Sequence, residues 1–425
     1  MLSPILAGEK EFADIILNDW DWYEKHDITL HAGDTVVGVD RHKKIITSAA
    51  GRTVTYDKLL LATGSEPIII PVPGHQKEGV ITFRDMGDVD TMVEASKKRQ
   101  NAVVIGGGLL GLEAAYGLSN LGMRVTVIHL ATHLMERQLD FVAGGLLKQE
   151  LGSRDIHVVT EGNTAEIIGN GRCEAVKLND GRSFDADLVV MAVGIKPNAW
   201  LAKSHDLAVG RGIQVDDHMR TSDEHIFAIG ECIEHRGLCY GLVAPIFDMA
   251  KVLADTLAGN EVEGYQGSTV STKLKVSGVD LFSAGEFQGE DDVEEIIFHD
   301  EGAGVYKKIV VKDDKVRGAV MYGDTADGGW LFRLMKEEAD VSEIRESLIF
   351  GEAHAAGGGA SATDLVASMP AEAEICGCNG VCKGTIVSAI QEKGLSTVDE
   401  VKSHTKAGSS CGSCVGLVEQ VLAGA

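Results

Sequence analysis

Four cysteines near the C-terminus form two close pairs. The first pair is Cys376-x-Cys378 and the second is Cys411-x-x-Cys414, with 32 residues between them. Paired thiolates are soft ligands that suit iron–sulfur clusters or zinc. Zinc sites usually separate paired cysteines by about two to four residues, and the first pair is tighter than that. The pattern therefore favours a [2Fe–2S] cluster, with zinc or a redox disulfide as the alternatives.

The residues around these pairs predict short helices that would carry them. The segments KGTIVSAIQEKG and STVDEVKSHTKAG have helical patterns, and Ser396 followed by Asp399 predicts a capping box. The segment CGSCVGLVEQVL predicts a third helix that begins at the last pair, and its N-terminus would ease the negative charge of a thiolate-bound cluster. Cys382 is expected to be a buried or free thiol, because four ligands are already present. The other cysteines are expected to be structural: Cys173, Cys232 and Cys239.

A glycine pattern in the segment NAVVIGGGLLGLEAAYGLSNLGMRVTVIHL is the second chemically informative group. Gly106, Gly108 and Gly111 form G-x-G-x-x-G between an apolar strand predicted at 102–105 and a helix predicted at 109–120. The first glycine permits a tight turn, the second lets a pyrophosphate approach the backbone, and the third lets helix and strand pack closely. Because the N–H groups of the helix N-terminus bind phosphate, the sequence predicts a dinucleotide-binding βαβ unit.

A short buried strand is predicted at 226–229, and Gly230 and Glu231 follow it. Gly230 would allow close approach of a ligand, and Glu231 would present a carboxylate at the end of the strand. A carboxylate there can accept hydrogen bonds from the hydroxyl groups of a sugar alcohol. The alternative is an acidic residue that ends a strand in solvent.

The elements that would position these residues occur twice. Residues 27–64 and 155–194 each begin with Asp-Ile and a short strand, continue through a β meander, and end in an apolar strand before Gly64 or Gly194. The two glycines lie 130 residues apart. The G-x-G-x-x-G pattern begins 49 residues before the second copy, so its counterpart would lie upstream of Met1. We therefore expect an internal duplication whose first copy lacks its βαβ start, with truncation favoured over remodelling.

The bulk composition restricts the class of protein. The chain has 425 residues, of which 44% are apolar and 24% charged, and its formal net charge is −25. Because it lacks a basic cluster, we expect no binding to nucleic acid or to anionic membranes. No apolar run is long enough to span a bilayer, and the N-terminus lacks the pattern of a secretory signal. A cytoplasmic location, where thiols stay reduced, is expected.

Four segments resemble the two-dinucleotide flavoprotein reductases: LLLATGSEP, VVIGGGLLGLEAA, VVMAVGIKPN and IFAIGECIEHRG. Two others, LSPILAGEKEFADIILNDWDWY and HLMERQLD, are typical of the large subunit of NAD(P)H-dependent assimilatory nitrite reductase. The C-terminal module is similar to bacterioferritin-associated ferredoxin, which carries a [2Fe–2S] cluster. The resemblance covers essentially the whole chain.

The resemblance implies an α/β fold, a two-dinucleotide-binding-domain flavoprotein reductase whose FAD domain is incomplete. A small α+β C-terminal reductase domain and a small helical [2Fe–2S] domain are expected to follow. The expected boundaries are an FAD-binding domain at 1–98 and 216–262, an NAD(P)H-binding domain at 99–215, the α+β domain at 263–350, a linker at 351–371 and the [2Fe–2S] domain at 372–425.

The resemblance also implies the site residues. The expected FAD contacts are Thr63, Gly64, Gly230 and Glu231. The expected nicotinamide-nucleotide contacts are Gly106, Gly108, Gly111, Glu113 and Gly194. The expected cluster ligands are Cys376, Cys378, Cys411 and Cys414. No catalytic acid or base is expected, because hydride transfer needs none. His129 ends the second strand, where many NAD enzymes have a ribose-binding acid, so the choice between NADH and NADPH stays open.

The implied function is electron input to nitrite reduction. Hydride would pass from NAD(P)H to FAD, and single electrons would pass to the [2Fe–2S] cluster, because the cluster accepts one electron at a time. Sirohaem and a [4Fe–4S] cluster are expected only in a C-terminal part beyond this chain. The sirohaem domain is the expected partner, and a small nitrite reductase subunit and a second copy of the chain are further candidates. The alternatives are a free-standing NAD(P)H:ferredoxin or rubredoxin reductase, a module that binds bacterioferritin and releases iron, and an inactive gene fragment.

Overall fold

A computed structural model describes residues 2–268, 271–276, 278–289, 292–355, 366, 369–376, 379–409 and 414–424. The chain divides into two compact units. The larger unit comprises residues 1–10, 68–194 and 269–425, and the smaller unit comprises 11–67 and 195–268. Within the described ranges, every helix is too short or too polar to cross a bilayer.

The described helices, in chain order, are α1 (Ser3–Leu6), α2 (Trp20–Lys25), α3 (Met86–Ser96), α4 (Leu109–Asn120), α5 (Phe141–Ser153), α6 (Trp200–Lys203), α7 (Val243–Ala258), α8 (Gly328–Lys336), α9 (Glu352–Ala355), α10 (Lys383–Lys393), α11 (Val398–Thr405) and α12 (Val415–Gly424). Two 3₁₀ helices span Phe12–Ile15 and Ser342–Phe350.

The described strands are β1 (Val36–Asp40), β2 (Ile45–Ser48), β3 (Thr53–Thr55), β4 (Leu59–Leu61), β5 (Ser65–Pro67), β6 (Val80–Thr82), β7 (Asn101–Ile105), β8 (Arg124–Ile128), β9 (His157–Val159), β10 (Thr164–Ile168), β11 (Ala175–Leu178), β12 (Ser183–Asp185), β13 (Leu188–Met191), β14 (Ile195–Pro197), β15 (Ile213–Val215), β16 (Ile226–Ala228), β17 (Ile233–His235), β18 (Ser271–Val276), β19 (Val279–Gly285), β20 (Glu294–Asp300), β21 (Val305–Lys312), β22 (Lys315–Tyr322), β23 (Glu374–Cys376) and β24 (Val381–Cys382).

The smaller unit contains a β meander and two short parallel ladders. Strands β1, β2 and β3 form the antiparallel meander, while β16 pairs with β4 and β15 pairs with β17 in parallel. Its core gathers apolar residues of β16 and α7, such as Ile226, Ala228 and Met249, all fully buried. Helix α7 ends at Gly259, whose φ of 80° is a left-handed conformation that glycine adopts without strain.

A five-stranded parallel sheet of order β6-β13-β7-β8-β9 organises the larger unit. Its central strands are continuous apolar runs because both faces are covered. Val104 packs with residues of α4 and α5 on one face, and Val103 packs with residues of the β10–β12 meander on the other. The helices and the meander therefore hold the carboxyl ends of the strands in place.

A five-stranded antiparallel sheet of order β18-β19-β22-β21-β20 follows in the same unit. Phe282, Ile309 and Met321 pack against α8 on one face. Tyr306 and Tyr322 point the other way and join the core that contains α5. The helical part of this region is α8 followed by the 3₁₀ helix Ser342–Phe350.

The two copies of the predicted duplication have the same local geometry. The meander β1-β2-β3 has a register shift between Val36 and Gly38, and the meander β10-β11-β12 has one between Thr164 and Glu166. Strands β5 and β14, each of which directly follows one of the two copies, pair antiparallel with each other. The structure therefore agrees with the internal duplication.

The C-terminal module packs α10, α11 and α12 around fully buried Ile386, Val401 and Val418. Thr397 caps α11, because its hydroxyl accepts the Glu400 N–H at 3.3 Å and the Glu400 carboxylate accepts the Thr397 N–H at 3.0 Å. The predicted capping box, which began at Ser396, is therefore wrong by one residue. The two adjacent positions are both good caps, so composition alone does not separate them.

Candidate functional site

The turn between β7 and α4 is built from glycines with different surroundings. A Cβ atom on Gly106 would lie 2.2 Å from the Ala192 oxygen, and one on Gly111 would lie 2.0 Å from the Gly106 oxygen. A Cβ on Gly108 would meet no atom within 4 Å. Gly108 is the N-cap of α4 and has no side chain to cap the helix. Gly106 and Gly111 therefore allow the tight turn, and Gly108 leaves room where a pyrophosphate would approach the helix N-terminus.

Gly194 lies at the same edge of the sheet as this turn. Strand β13 pairs in parallel with β7, with Met191 opposite Ile105, and the Ala192 N–H donates to the Ile105 oxygen at 2.8 Å. Gly194 has a φ of 115°, which a residue with a side chain rarely adopts. The structure therefore places Gly194 and the glycine turn at the carboxyl ends of neighbouring strands, where ligands of open α/β sheets bind.

Glu113 lies on α4 and is partly buried. The Ser3 hydroxyl donates a hydrogen bond to its carboxylate. Burial raises the pKa of Glu113, and the hydrogen bond from Ser3 opposes that shift. The N-terminal helix α1 is fixed beside it, because Leu6 is fully buried against Gly117 of α4. Ser3 was not among the predicted site residues, because nothing in its local sequence pattern indicates a contact 110 residues away.

His129 follows β8 and is buried, with its side chain 8% exposed. The Gly107 N–H donates to its Nδ1 at 3.0 Å, and its Nε2 lies 3.0 Å from Glu136 Oε2. Glu136 was not among the predicted site residues, although it lies within the quoted segment HLMERQLD.

The predicted FAD contacts also lie at the carboxyl ends of two adjacent strands. Leu61 of β4 is opposite Ala228 of β16, so Thr63–Gly64 and Gly230–Glu231 follow neighbouring strands. The Ser65 hydroxyl donates to Glu231 Oε2 at 2.6 Å, and the Thr63 hydroxyl donates to the Asn198 oxygen at 2.6 Å. A Cβ on Gly64 would meet no atom within 4 Å. This edge of the ladder is therefore open at Gly64, and Ser65 holds the Glu231 carboxylate beside it.

Two of the four predicted cluster ligands lie within the described residues. Cys376 ends β23 and Cys414 precedes α12, and both are buried in the same apolar cluster. Asn379 Nδ2 donates to the Lys406 oxygen at 2.5 Å and to the Ser409 Oγ at 3.2 Å. This side chain ties the segment after the first pair to the segment before the second. The other two predicted ligands lie outside the described residues: Cys378 and Cys411.

Cys382 has a separate role as the N-cap residue of α10. Its Sγ lies 3.2 Å from Thr385 Oγ1. Hydrogen bonds from the Thr385 side chain and backbone lower the pKa of this thiol. Of the predicted structural cysteines, Cys173 and Cys232 are fully buried in apolar clusters.

Three family models match the chain. They are pyridine nucleotide-disulphide oxidoreductase at residues 1–252, rubredoxin NAD+ reductase C-terminal domain at 271–339 and BFD-like [2Fe-2S] binding domain at 374–424. The crystal structure of NADH:rubredoxin oxidoreductase from Clostridium acetobutylicum is similar to this chain with a TM-score of 0.65 and 27% identity. The similarity covers 81% of this chain and 86% of that one.

Two curated relatives come from Bacillus subtilis (strain 168). Nitrite reductase [NAD(P)H] is 51% identical over 422 residues, which cover 99% of this chain and 52% of the relative. The assimilatory nitrate reductase electron transfer subunit is 44% identical over 99% of this chain and 54% of the relative. The chain therefore spans about half the length of these curated relatives.

These matches confirm the predicted fold class, with its reductase, C-terminal α+β and [2Fe–2S] domains, and the resemblance to nitrite reductase. They also confirm the expected cofactors, which are FAD and NAD(P)H for the reductase domain and a [2Fe–2S] cluster for the C-terminal module. The predicted domain boundaries and the individual contact residues stay predictions. The first family model covers more than half of the sequence, and the chain therefore belongs to the pyridine nucleotide-disulphide oxidoreductase family.

Proposed function

We propose that this chain is the electron-input portion of an NAD(P)H-dependent nitrite reductase. It would take hydride from NAD(P)H and deliver single electrons to a sirohaem domain outside these 425 residues. One observation carries the proposal. The same chain contains an open dinucleotide-binding turn and a module in which Cys376 and Cys414, one from each cysteine pair, are buried. The name of the Bacillus subtilis nitrite reductase [NAD(P)H] supports nitrite as the final substrate. The name of the second relative, an assimilatory nitrate reductase electron transfer subunit, supports an electron-input role.

The residues present fit the cofactors that the family uses. When bound, FAD would accept hydride and release electrons one at a time, and a [2Fe–2S] cluster would accept single electrons. On the nucleotide side, Gly106, Gly108 and Gly111 would let the pyrophosphate reach the N–H groups of α4, and Gly194 would keep the neighbouring strand end clear. Partly buried Glu113, held by Ser3, would lie beside that turn as a hydrogen-bonding group.

On the flavin side, we assign Thr63, Gly64, Gly230 and Glu231. Gly64 and Gly230 both have positive φ, and a Cβ atom added to either glycine would have no neighbouring atom closer than 4.0 Å, so the backbone can be approached closely. Glu231 would accept hydrogen bonds from the sugar-alcohol hydroxyls of the flavin, because its orientation is fixed by Ser65.

For the cluster, we assign Cys376, Cys378, Cys411 and Cys414 as ligands. The burial of the first and last of these in an apolar cluster would keep water from iron-bound thiolates. Asn379 would hold the two cysteine segments at a fixed distance. Cys382 is not assigned, because its thiol is engaged at the start of α10.

We also propose a cellular location and partners for this chain. The chain would act in the cytoplasm, with a sirohaem nitrite-reducing domain or subunit as electron acceptor. A small nitrite reductase subunit and a second copy of the chain are further candidate partners. We also retain the domain boundaries given from the sequence as a proposal.

A second candidate function is reduction of a rubredoxin-like acceptor. It is favoured by the family match at 271–339 and by the structural similarity to NADH:rubredoxin oxidoreductase. That function does not call for the C-terminal [2Fe–2S] module. Loss of rubredoxin reduction on removal of the cluster would favour the cluster as the electron exit, whereas unchanged reduction would favour direct exit from the flavin.

The deciding experiment is reduction of the anaerobically purified chain, loaded with FAD and iron, by NADH. We expect loss of the flavin absorbance and a paramagnetic iron–sulfur signal. Cys376→Ser and Cys414→Ser should abolish the signal, and Cys382→Ser, the matched control from the same module, should keep it. Bound zinc in place of iron, or the absence of a paramagnetic centre, would contradict the proposal.

A further inference from the structure

The imidazole of His129 has no hydrogen-bonding capacity left for a ligand. A backbone N–H can only donate, so the bond from Gly107 to Nδ1 requires a lone pair on that nitrogen. The ring proton therefore lies on Nε2, which donates to Glu136 at 3.0 Å. In this tautomer the ring is neutral, and it offers neither a free acceptor to a ribose nor a positive charge to a phosphate.

The segment after β8 is fixed against the glycine turn at several points. The Met135 N–H donates to the Gly107 oxygen at 3.0 Å, and Gln288 Nε2 donates to the Glu136 oxygen at 3.0 Å. A Cβ on Gly107 would lie 2.7 Å from His129 Cγ, so the glycine is needed for this close packing. The position of Glu136 beside the turn is therefore set by backbone and side-chain bonds on both sides.

The Glu136 carboxylate keeps one oxygen for a ligand. Its Oε2 accepts from His129, and within the described residues its Oε1 has no hydrogen-bond partner. The side chain is 40% exposed, in contrast to the buried imidazole that holds it. Many NAD enzymes have a ribose-binding acid directly at the end of this strand. In this chain the carboxylate is that of Glu136, seven residues after His129.

We propose that Glu136, positioned by His129, accepts a hydrogen bond from the adenosine ribose and makes this chain select NADH over NADPH. This inference rests on the proposed dinucleotide site. A ribose hydroxyl is a donor that a carboxylate binds well, whereas a 2′-phosphate would bring a second anion against Glu136. The adjacent Arg137 is exposed and is the competing group, because an arginine can bind a 2′-phosphate.

The test is anaerobic calorimetric titration of the full chain, loaded with its cofactors and reduced beforehand with dithionite so that no hydride is transferred, with NADH and with NADPH. We expect the wild type to bind NADH at least about tenfold more tightly, and Glu136→Gln to reduce this ratio by about tenfold, the effect of losing one charge-assisted bond. Glu136→Ala should act in the same direction, which guards against a folding defect in one variant. Glu94→Gln, an exposed glutamate paired with Lys97 on α3, should leave the ratio unchanged.

Three other outcomes would contradict this inference, each in a different way. Tighter binding of NADPH by the wild type, with loss of that binding in Arg137→Gln, would overturn the inference and assign the phosphate to Arg137. An unchanged ratio in Glu136→Gln, with both nucleotides still bound, would overturn this inference alone. Failure of the wild type to bind either nucleotide would overturn the dinucleotide site and the proposed function together.

Discussion

Gly108 and Gly111 lie three residues apart, yet a methyl group on each would have different effects. At Gly111 the added Cβ would meet the Gly106 oxygen at 2.0 Å, and at Gly108 it would meet nothing within 4 Å. Alanine is favoured over glycine in a helix by roughly 1 kcal/mol, but overpacking costs about 1–3 kcal/mol. At Gly111 the clash is with backbone, which cannot move aside, so we expect the clash to dominate.

We therefore predict that Gly111→Ala lowers the melting temperature, whereas Gly108→Ala melts like the wild type. Gly108→Ala should instead weaken NADH binding, because its methyl group would occupy the space that the pyrophosphate needs. Thermal melting and NADH titration of both variants would check this. Unimpaired NADH binding by Gly108→Ala would place the pyrophosphate elsewhere.

Asp217 is the clearest source of pH-dependent stability in the smaller unit. Arg236 donates two hydrogen bonds to it, at 2.9 Å and 2.7 Å, and buried His235 donates a third at 2.9 Å. The bonds from Arg236, followed by that from His235, lower the pKa of Asp217 from its ordinary value of 3.8 to about 2. A lowered pKa in the folded state means that this stabilisation is complete above the ordinary value and is lost as pH falls toward the folded one.

We predict that Asp217→Asn is less stable than the wild type at neutral pH, and that the difference shrinks as the pH falls from about 5 to about 3. Melting temperatures measured across that range would check the prediction. Asp57→Asn, at an exposed position of the same unit, is the matched control and should show no such convergence. A difference that stays constant with pH would mean that the Asp217 bonds do not depend on its ionisation.

At the scale of elements, the start of α5 joins the nucleotide-binding sheet to the antiparallel sheet of the same unit. Asp140 caps α5 by accepting the Ala143 N–H at 3.0 Å, and the buried Tyr306 hydroxyl donates to its other oxygen at 2.7 Å. Lys308 lies 3.8 Å from the same oxygen. Burial, and then the bond to Asp140, raise the pKa of Tyr306, so its hydroxyl stays a donor.

We predict that Tyr306→Phe destabilises the chain by about 1–3 kcal/mol, because it leaves a buried carboxylate oxygen without its donor. Tyr322→Phe is a matched control from the opposite residue of the neighbouring strand. Its hydroxyl lies at a long 3.4 Å from the Leu146 oxygen, so its loss should cost little. Chemical denaturation of both variants would check the difference, and equal effects would contradict it.

The sequence predicted elements well where a periodic pattern and a special residue coincide. The helix predicted at 109–120 is α4, since Gly108 and the apolar strand before it mark its start. The third helix of the C-terminal module begins at Val415, directly after the last cysteine, as predicted. The capping box was misplaced by one residue. The Ser396 and Thr397 N–H groups both donate to the Glu400 carboxylate, and it is the Thr397 hydroxyl that accepts the Glu400 N–H in return.

The site was less predictable than the elements. Glycines could be assigned because a turn requires them whatever lies around it. Ser3 and Glu136 could not, since their roles arise from contacts with Glu113 and His129 that only the folded chain brings together. Long-range hydrogen bonds of this kind leave no periodic trace in a single sequence.

At the scale of the whole molecule, the excess of acidic residues sets the response to salt. The chain has 64 Asp and Glu residues against 39 Lys and Arg residues. Raising the ionic strength from about 10 mM to about 100 mM shortens the Debye length from about 30 Å to about 10 Å, which screens repulsion over the surface. Buried pairs such as Lys308–Asp140 are screened less.

We therefore predict that the melting temperature rises over this range of sodium chloride concentration, because weakened self-repulsion outweighs weakened surface ion pairs. Calorimetric scans of the same sample at the two salt concentrations would measure the shift. A fall in the melting temperature would mean that favourable ion pairs, not net charge, dominate the electrostatic part of stability.

The ribbon formed by β5 and β14 has a further consequence. Each of its strands directly follows one copy of the repeat, and the central pair is Glu66 opposite Lys196, joined at 3.2 Å. In an assembly of two identical chains, the central position would face its own twin, so an acid there would oppose an acid. Because both repeats lie in one polypeptide, the two residues at the central position need not be identical, and they can carry opposite charges.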